Sequence, residues 1–251
     1  MKLTILGCGT SGGVPKVPEY WGACDPNNPK NHRRRASVLV EEGDTAILID
    51  TTPDLREQAL SAGMTHVSGV FYTHDHADHT HGIDDLRGFF QATREKVPVY
   101  GDQQTIDMLK HRFDYIFKSQ NGYPAICTAR AIGGSVAVGD ITMQPFEQGH
   151  GSGISLGYRF GDMAYSTDLD RMPASAFEAL EGVKIWVVDA LRYDPHPTHS
   201  HLAQTLEWID RVKPELAILT HMTWDMDYET LTAELPEGVV PAFDGMVIER
   251  P

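Results

Sequence analysis

The segment "FYTHDHADHTHG", Phe71 to Gly82, gathers His74, Asp75, His76, Asp78, His79 and His81 directly behind an apolar run, and so holds four of the chain's 12 histidines. An isolated His-x-His can simply line a polar strand face. This run is too dense for that. Burying His74, His76, Asp78 and His79 in apolar surroundings is costly without partners. Leaving them all exposed does not explain their place at the end of an apolar strand. A divalent ion resolves both problems, because neutral imidazoles and carboxylates are good ligands for zinc, manganese or iron. In an extended turn, His74 and His76 can point to one ion. Asp78 and His79, where the chain bends into a helix, can face a second ion about 3.5–4 Å away. Two ions need more ligands than these four, and later turns offer His150, Asp168 and His221. An aspartate between two cations can bridge with both oxygens, and Asp168 is the candidate.

The elements that must position these residues are short apolar runs alternating with helical patterns. Strands are expected at Leu3–Leu6, Ser37–Glu41, Ala46–Ile49, Val67–Thr73, Val97–Tyr100, Ile141–Phe146, Ile154–Phe160, Lys184–Asp189 and Leu216–Thr220. Helices are expected at Pro53–Ala62, Gln103–Phe117, Pro173–Leu180, His201–Val212 and Tyr228–Glu234. In the fourth helix Leu202, Leu206, Ile209 and Val212 form one apolar stripe, with Ser200 as its N-cap. Polar, ligand-type residues recur just behind strand ends, at Asp50, His74, His150, Asp168 and His221. Loops at one rim of a sheet scaffold are where chemistry is usually placed. Strands followed by helices, twice over, suggest two packed sheets with helices outside, in a single domain spanning residues 1–251.

The chain has 251 residues, 41% of them hydrophobic, which suffices for a full core. Its formal net charge of −14 disfavours a broad grip on nucleic acid. Three separated cysteines, Cys8, Cys24 and Cys127, fit a reducing compartment. Met1–Gly7 reads as a first strand rather than a signal peptide, and no stretch approaches a membrane span. A cytoplasmic protein is expected.

"THDHADH", the histidine in "EQGHG", the aspartate in "YSTD" and the histidine in "ILTHM" resemble the metallo-β-lactamase superfamily in order and spacing. The resemblance implies an αββα sandwich, two mixed β-sheets flanked by helices, around a dinuclear site. It assigns His74, His76 and His150 to one metal and Asp78, His79 and His221 to the other, with Asp168 bridging. "LGCGTSGGVP", "HGIDDLRGF", "PTHSHL" and "FDGM" are similar to the PhnP phosphodiesterase branch, related to tRNase Z. That likeness places His199 beside the metals, acting on the phosphoryl group or the leaving oxygen, and implies a homodimer. Relatives in that branch carry a structural zinc held by closely spaced cysteines and a later histidine. Here those positions offer only Cys24 and Trp224, so no structural zinc is expected. No long basic insertion of the tRNA-gripping kind is present.

The expected function is a dinuclear phosphodiesterase, using Mn or Zn, with Fe as a third choice. It would hydrolyse a small, cyclic nucleotide or ribose phosphodiester through a metal-bridging hydroxide, with Asp78 and His199 as catalytic residues. One alternative is a lactone or thioester hydrolase with the same site. Another is a nucleotide-binding module without catalysis. Asp50 and Asp189 read as supports for the ligand histidines. His66, His111 and His196 carry no expected role. The basic run His32–Arg35 reads as a solvated face, with a phosphate clamp as the sharper option. Gly9–Gly13 reads either as an anion-binding turn or as a tight passage beside the metals.

Overall fold

A computed structural model describes residues 1–250. The strands are β1 (Lys2–Gly7), β2 (Ser37–Glu42), β3 (Thr45–Ile49), β4 (Gly69–Phe71), β5 (Val97–Gly101), β6 (Cys127–Ala131), β7 (Val136–Val138), β8 (Ile141–His150), β9 (Gly153–Phe160), β10 (Met163–Ser166), β11 (Ile185–Asp189), β12 (Leu216–Thr220), β13 (Val239–Pro241) and β14 (Val247–Glu249). They form two seven-stranded sheets, ordered β14-β1-β2-β3-β4-β5-β6 and β13-β12-β11-β10-β9-β8-β7. Both are mixed. In the first sheet β1 to β3 pair antiparallel and β3 to β6 parallel. In the second, β8 to β10 pair antiparallel and β10 to β13 parallel. The helices are α1 (Leu55–Ser61), α2 (Ala77–Thr80), α3 (Leu86–Thr93), α4 (Gln103–Arg112), α5 (Asp114–Phe117), α6 (Ala174–Ala179), α7 (Leu202–Val212) and α8 (Tyr228–Glu234). No helix among the described residues is long and apolar enough to cross a membrane.

The strand sequences explain the layering. In β3, "TAILI", every residue is buried, which a strand covered on both faces requires. Period-two alternation then sorts them. Ile47 and Ile49 join the core shared with the second sheet, beside Phe71, Tyr158 and Tyr165. Leu48 faces the other way, with Leu55, Leu86, Ile106 and Leu109 of the covering helices. Each such side chain contributes about 1.5–3 kcal/mol by leaving water. On the far side, the apolar stripe of α7 packs as expected: Ile209 is buried, and Leu202, Leu206 and Val212 pack against the core.

Parallel pairing puts the functional turns at one rim. Ile49 pairs with Phe71, so β3 and β4 end together, and their continuations carry Asp50 and His74. Ser166, Val188 and Leu219 lie in register across β10, β11 and β12, so Asp168, Asp189 and His221 emerge together from the second sheet. Two bonds join the sheets beneath that rim: the Leu156 amide donates to Thr73 O at 2.8 Å and Tyr158 Oη to Tyr72 O at 2.6 Å.

Three expectations need correction. The helix expected over Gln103–Phe117 divides at Phe113, whose φ of −127° and ψ of 43° interrupt it. Ser200 does not cap α7; His201 takes that position, and Ser200 Oγ donates to Asp189 O at 2.8 Å. The run His32–Arg35 is neither a solvated face nor a free clamp. Arg33 is 2% exposed. It donates to Thr223 O at 3.0 Å and Met226 O at 2.6 Å, and thus ties the start of the chain to the loop behind β12. Arg34 pairs with Asp244 and Arg35 with Asp54, both at 2.9 Å. The Gly9 amide donates to Arg34 O, and the Thr10 amide to Met222 O. A Cβ on Gly9 would lie 2.8 Å from Arg33 O, so glycine is needed for that close passage.

Candidate metal centre

All eight expected site residues meet at the rim. His74 and His76 come from the turn behind β4, Asp78 and His79 from the first turn of α2. His150 is the last residue of β8. Asp168, His199 and His221 come from the turns behind β10, β11 and β12. His74, His76, His150 and Asp168 form one group whose ligand atoms all lie within 4.8 Å of one another. Asp78, His79, Asp168 and His221 form a second. Asp168 belongs to both, and its oxygens divide between them. Oδ2 lies 3.7 Å from His74 Nε2 and 3.8 Å from His150 Nε2. Oδ1 lies 3.1 Å from His79 Nε2 and 3.3 Å from His221 Nε2.

In His79, His74, His150 and His199 the Nδ1 atom is held by the protein, which leaves Nε2 to face the site. His79 Nδ1 lies 2.7 Å from Asp50 Oδ2, so Nδ1–H donates and Nε2 faces Asp78 and Asp168. Thr73 Oγ1 donates to Asp50 Oδ2 at 2.8 Å and can then accept from His74 Nδ1 at 3.0 Å. A single buried carboxylate thus orients two histidines, one directly and one through a threonine. His150 Nδ1 donates to Thr198 O at 2.7 Å. Asp189 accepts from His199 Nδ1 at 3.0 Å. The expectation that Asp50 and Asp189 support the histidines agrees with these contacts.

The rest of the geometry asks for a cation. The Nε2 atoms of His74, His79 and His221 are buried without a hydrogen-bond partner. Buried polar atoms are rarely left so, and each costs about 1–3 kcal/mol. Two donor atoms bound at about 2.1 Å to one tetrahedral ion lie about 3.4 Å apart, and the nitrogen–oxygen separations above bracket that value. The residues therefore fit divalent metal ions. Backbone conformation points the same way. Asp50, Asp168 and His221 have φ of 64°, 53° and 59°, a left-handed region that costs non-glycine residues and clusters at functional sites.

Charge follows from the crowding. Burial opposes ionisation of Asp168, but His221 and His79 hold it well below the usual carboxylate range. Burial pushes His74 well below the usual imidazole range, and His150 more weakly. Burial also opposes a charge on His199, yet the hydrogen bond and charge of Asp189, then Asp168 and Asp78, raise it to about 9. His199 Nε2 faces Asp168 Oδ2 at 3.7 Å.

Sequence reasoning missed Thr73 and the Thr198 carbonyl, which carry no spacing signal. His196 was given no role, yet its ring lies 5.2 Å from that of His199. His76, His150 and His199 open onto a cleft of about 330 Å³.

With fold and site in hand, the comparisons agree. Residues 45–222 match the family described as beta-lactamase superfamily domain, and the chain belongs to the metallo-β-lactamase superfamily. Within it, the likeness is to the PhnP family. A solved structure described as a new diphosphatase from that family is 37% identical, with a TM-score of 0.93, over 100% of this chain and 98% of that one. Human tRNase Z, short form, is 16% identical with a TM-score of 0.70 over 100% of both chains, and shares the fold alone. A Porphyromonas gingivalis protein named octanoyltransferase is 32% identical over 98% of this chain. This chain spans about half of that relative, 51% of its length. Family membership and the ligand-type clusters together support a metal-dependent hydrolase.

Proposed function

We propose that this protein is a phosphodiesterase acting on a small, cyclic nucleotide or ribose phosphodiester. The observation that carries the proposal is the division of Asp168 between two histidine groups, with His199 held by Asp189 at their open side. His74, His76 and His150 would hold one divalent ion, and Asp78, His79 and His221 a second, with Asp168 between them. Manganese, zinc or iron suits these donors. When bound, such ions supply an activated water at neutral pH and neutralise charge on phosphoryl oxygens. Asp78 Oδ2, 3.3 Å from His79 Nε2, would orient that water. Asp189 favours the protonated form of His199, whose Nε2–H can neutralise a phosphoryl oxygen or protonate the leaving oxygen. Asp189 accepts from Nδ1–H, so the second, transferable proton of the ring sits on Nε2 and faces the site. The cleft of about 330 Å³ is at the small end for ligand sites and suits a compact substrate rather than a nucleic-acid strand.

A second reading, hydrolysis of a lactone or thioester, draws on the acyl chemistry in the name of the Porphyromonas gingivalis relative. The cleft favours it less, because Ile154 is the one large aliphatic side chain in its lining. Apo protein reloaded with manganese or zinc should cleave bis(p-nitrophenyl) phosphate and cyclic phosphodiesters and leave a lactone and a thioester intact. The reverse pattern would sink the phosphodiester reading. His199→Ala should keep its metals and lose about 10²–10⁴-fold in turnover; unchanged turnover would remove its role.

A further inference from the structure

The histidines of the first group are held in different ways. His74 Nδ1 meets Thr73 Oγ1, and His150 Nδ1 donates to Thr198 O. His76 has no such support. Its Nδ1 is the nitrogen turned inward, 3.3 Å from His150 Nε2, and the residue is exposed. Among the described residues, no other protein group hydrogen-bonds to its ring. What fixes His76 must therefore act through its backbone. Nδ1 also sits nearer the main chain than Nε2 does, so its position follows the main chain more closely. Side chains grip that backbone on both sides. Thr80 Oγ1, within α2, donates to His76 O at 2.8 Å. On the other side, Arg112 Nη1 donates to Asp75 O, the carbonyl of the peptide that enters His76, and Nη2 donates to Asp75 Oδ2 at 3.0 Å. Arg112 is the last residue of α4, and the next residue, Phe113, sets its ring 5.3 Å from that of His81. The end of α4 thus lies along the segment that carries His76, Asp78 and His79.

We infer that Arg112 is a positioning residue for the ion assigned to His74, His76 and His150, and that it acts through the peptide entering His76. The inference rests on the two-ion assignment above. The planar fork of a guanidinium can reach a carbonyl and a carboxylate at once. Holding both sets the direction in which His76 leaves the chain before an ion arrives, as partners behind a ligand do. Arg112 and Asp75 are 34% and 20% exposed, and an ion pair so placed contributes little to stability by itself. The bond to the carbonyl gives the pair its further use. His79, in the second group, rests instead on Asp50. An effect confined to one ion is therefore the mark of this role.

Zinc affinities of the full chain, measured by competition with a chelating indicator, test this. Wild type should load two ions. His76→Ala identifies the ion of the first group as the one it weakens. Arg112→Met should weaken that same ion by about 10–100-fold and leave the other unchanged. Arg112→Lys keeps the charge and a donor for the carbonyl. It should show a smaller loss at the same ion, and it decides alone should Arg112→Met fail to fold. Urea denaturation of apo Arg112→Met should stay close to wild type, which separates positioning from a general loss of structure. Both ions weakened alike, the other ion weakened alone, or neither weakened, overturns the role of Arg112 and keeps the two-ion assignment. Fewer than two ions in wild type removes that assignment, and the inference with it. None of these outcomes depends on which bond the protein cleaves.

Discussion

Arg33 and His79 are both almost fully buried, at 2% and 1% exposure, yet their surroundings differ in kind. Arg33 donates to two carbonyls and to Asn31 Oδ1, whose amide donates in turn to Asp227 Oδ2 at 2.7 Å. Only its Nε is left without a partner. Around His79, the Nε2 atoms of three histidines are open and converge on the oxygens of Asp168 and Asp78. The first region closes on itself, and the second is complete only with something added. A buried polar cluster that serves the fold satisfies its own hydrogen bonds, because each open group costs stability. One that serves chemistry keeps matched atoms open for a ligand.

The largest effect that can break this comparison is expected at Asp168. Asp168→Asn tolerates the left-handed backbone there but removes the shared charge. Metal content should fall below two ions per chain, and turnover by about 10³-fold or more. The rise in melting temperature that metal gives wild type should shrink with it. A variant that still loads two ions and gains the same stability would show that Asp168 is not the shared ligand. Next comes Arg33→Met, which leaves the Thr223 and Met226 carbonyls unpaired. Urea denaturation of the apo protein should show a loss of about 3 kcal/mol, while any protein that stays folded should still load metal. A loss below about 0.5 kcal/mol would put Arg33 among ordinary surface residues.

The smallest effect is at the edge of the same cluster. Asp227 caps α8, accepting from the Thr230 amide and from Asn31. Slight burial opposes its charge, but these donors win and hold it down to about 2. Because the folded value lies below the ordinary one of 3.8, the contribution is full above that pH and fades as pH falls towards 2. Asp227→Ala should therefore lose about 1 kcal/mol at pH 7, and the gap should narrow in acid. A gap that stays constant with pH would point to packing rather than to the carboxylate.

The candidate metal centre was the most legible part of the sequence, because its first ligand-type residues lie within six residues, His74 to His79, and the others follow or end strands. The strands of the central layers were legible through their β-branched runs. What stayed hidden depends on partners distant in sequence. β14 pairs with β1 across nearly the whole chain, and its three residues carry too little pattern to stand out. Thr73 is an ordinary threonine until Asp50 and His74 lie on either side of it. The break at Phe113 has no glycine or proline to mark it. Arginines usually stay at the surface, so a run of three read as solvated. Only the folded chain supplies the carbonyls at Thr223 and Met226 that let Arg33 be buried.

The Arg33 tie is made of protein atoms alone. A guanidinium is synthesised with the chain and is always charged, so this link between residue 33 and the loop behind β12 forms without drawing on the cell's supply of metal ions. That loop also carries His221. The loop that presents His221 is thus fastened by the chain itself, whether or not an ion is bound.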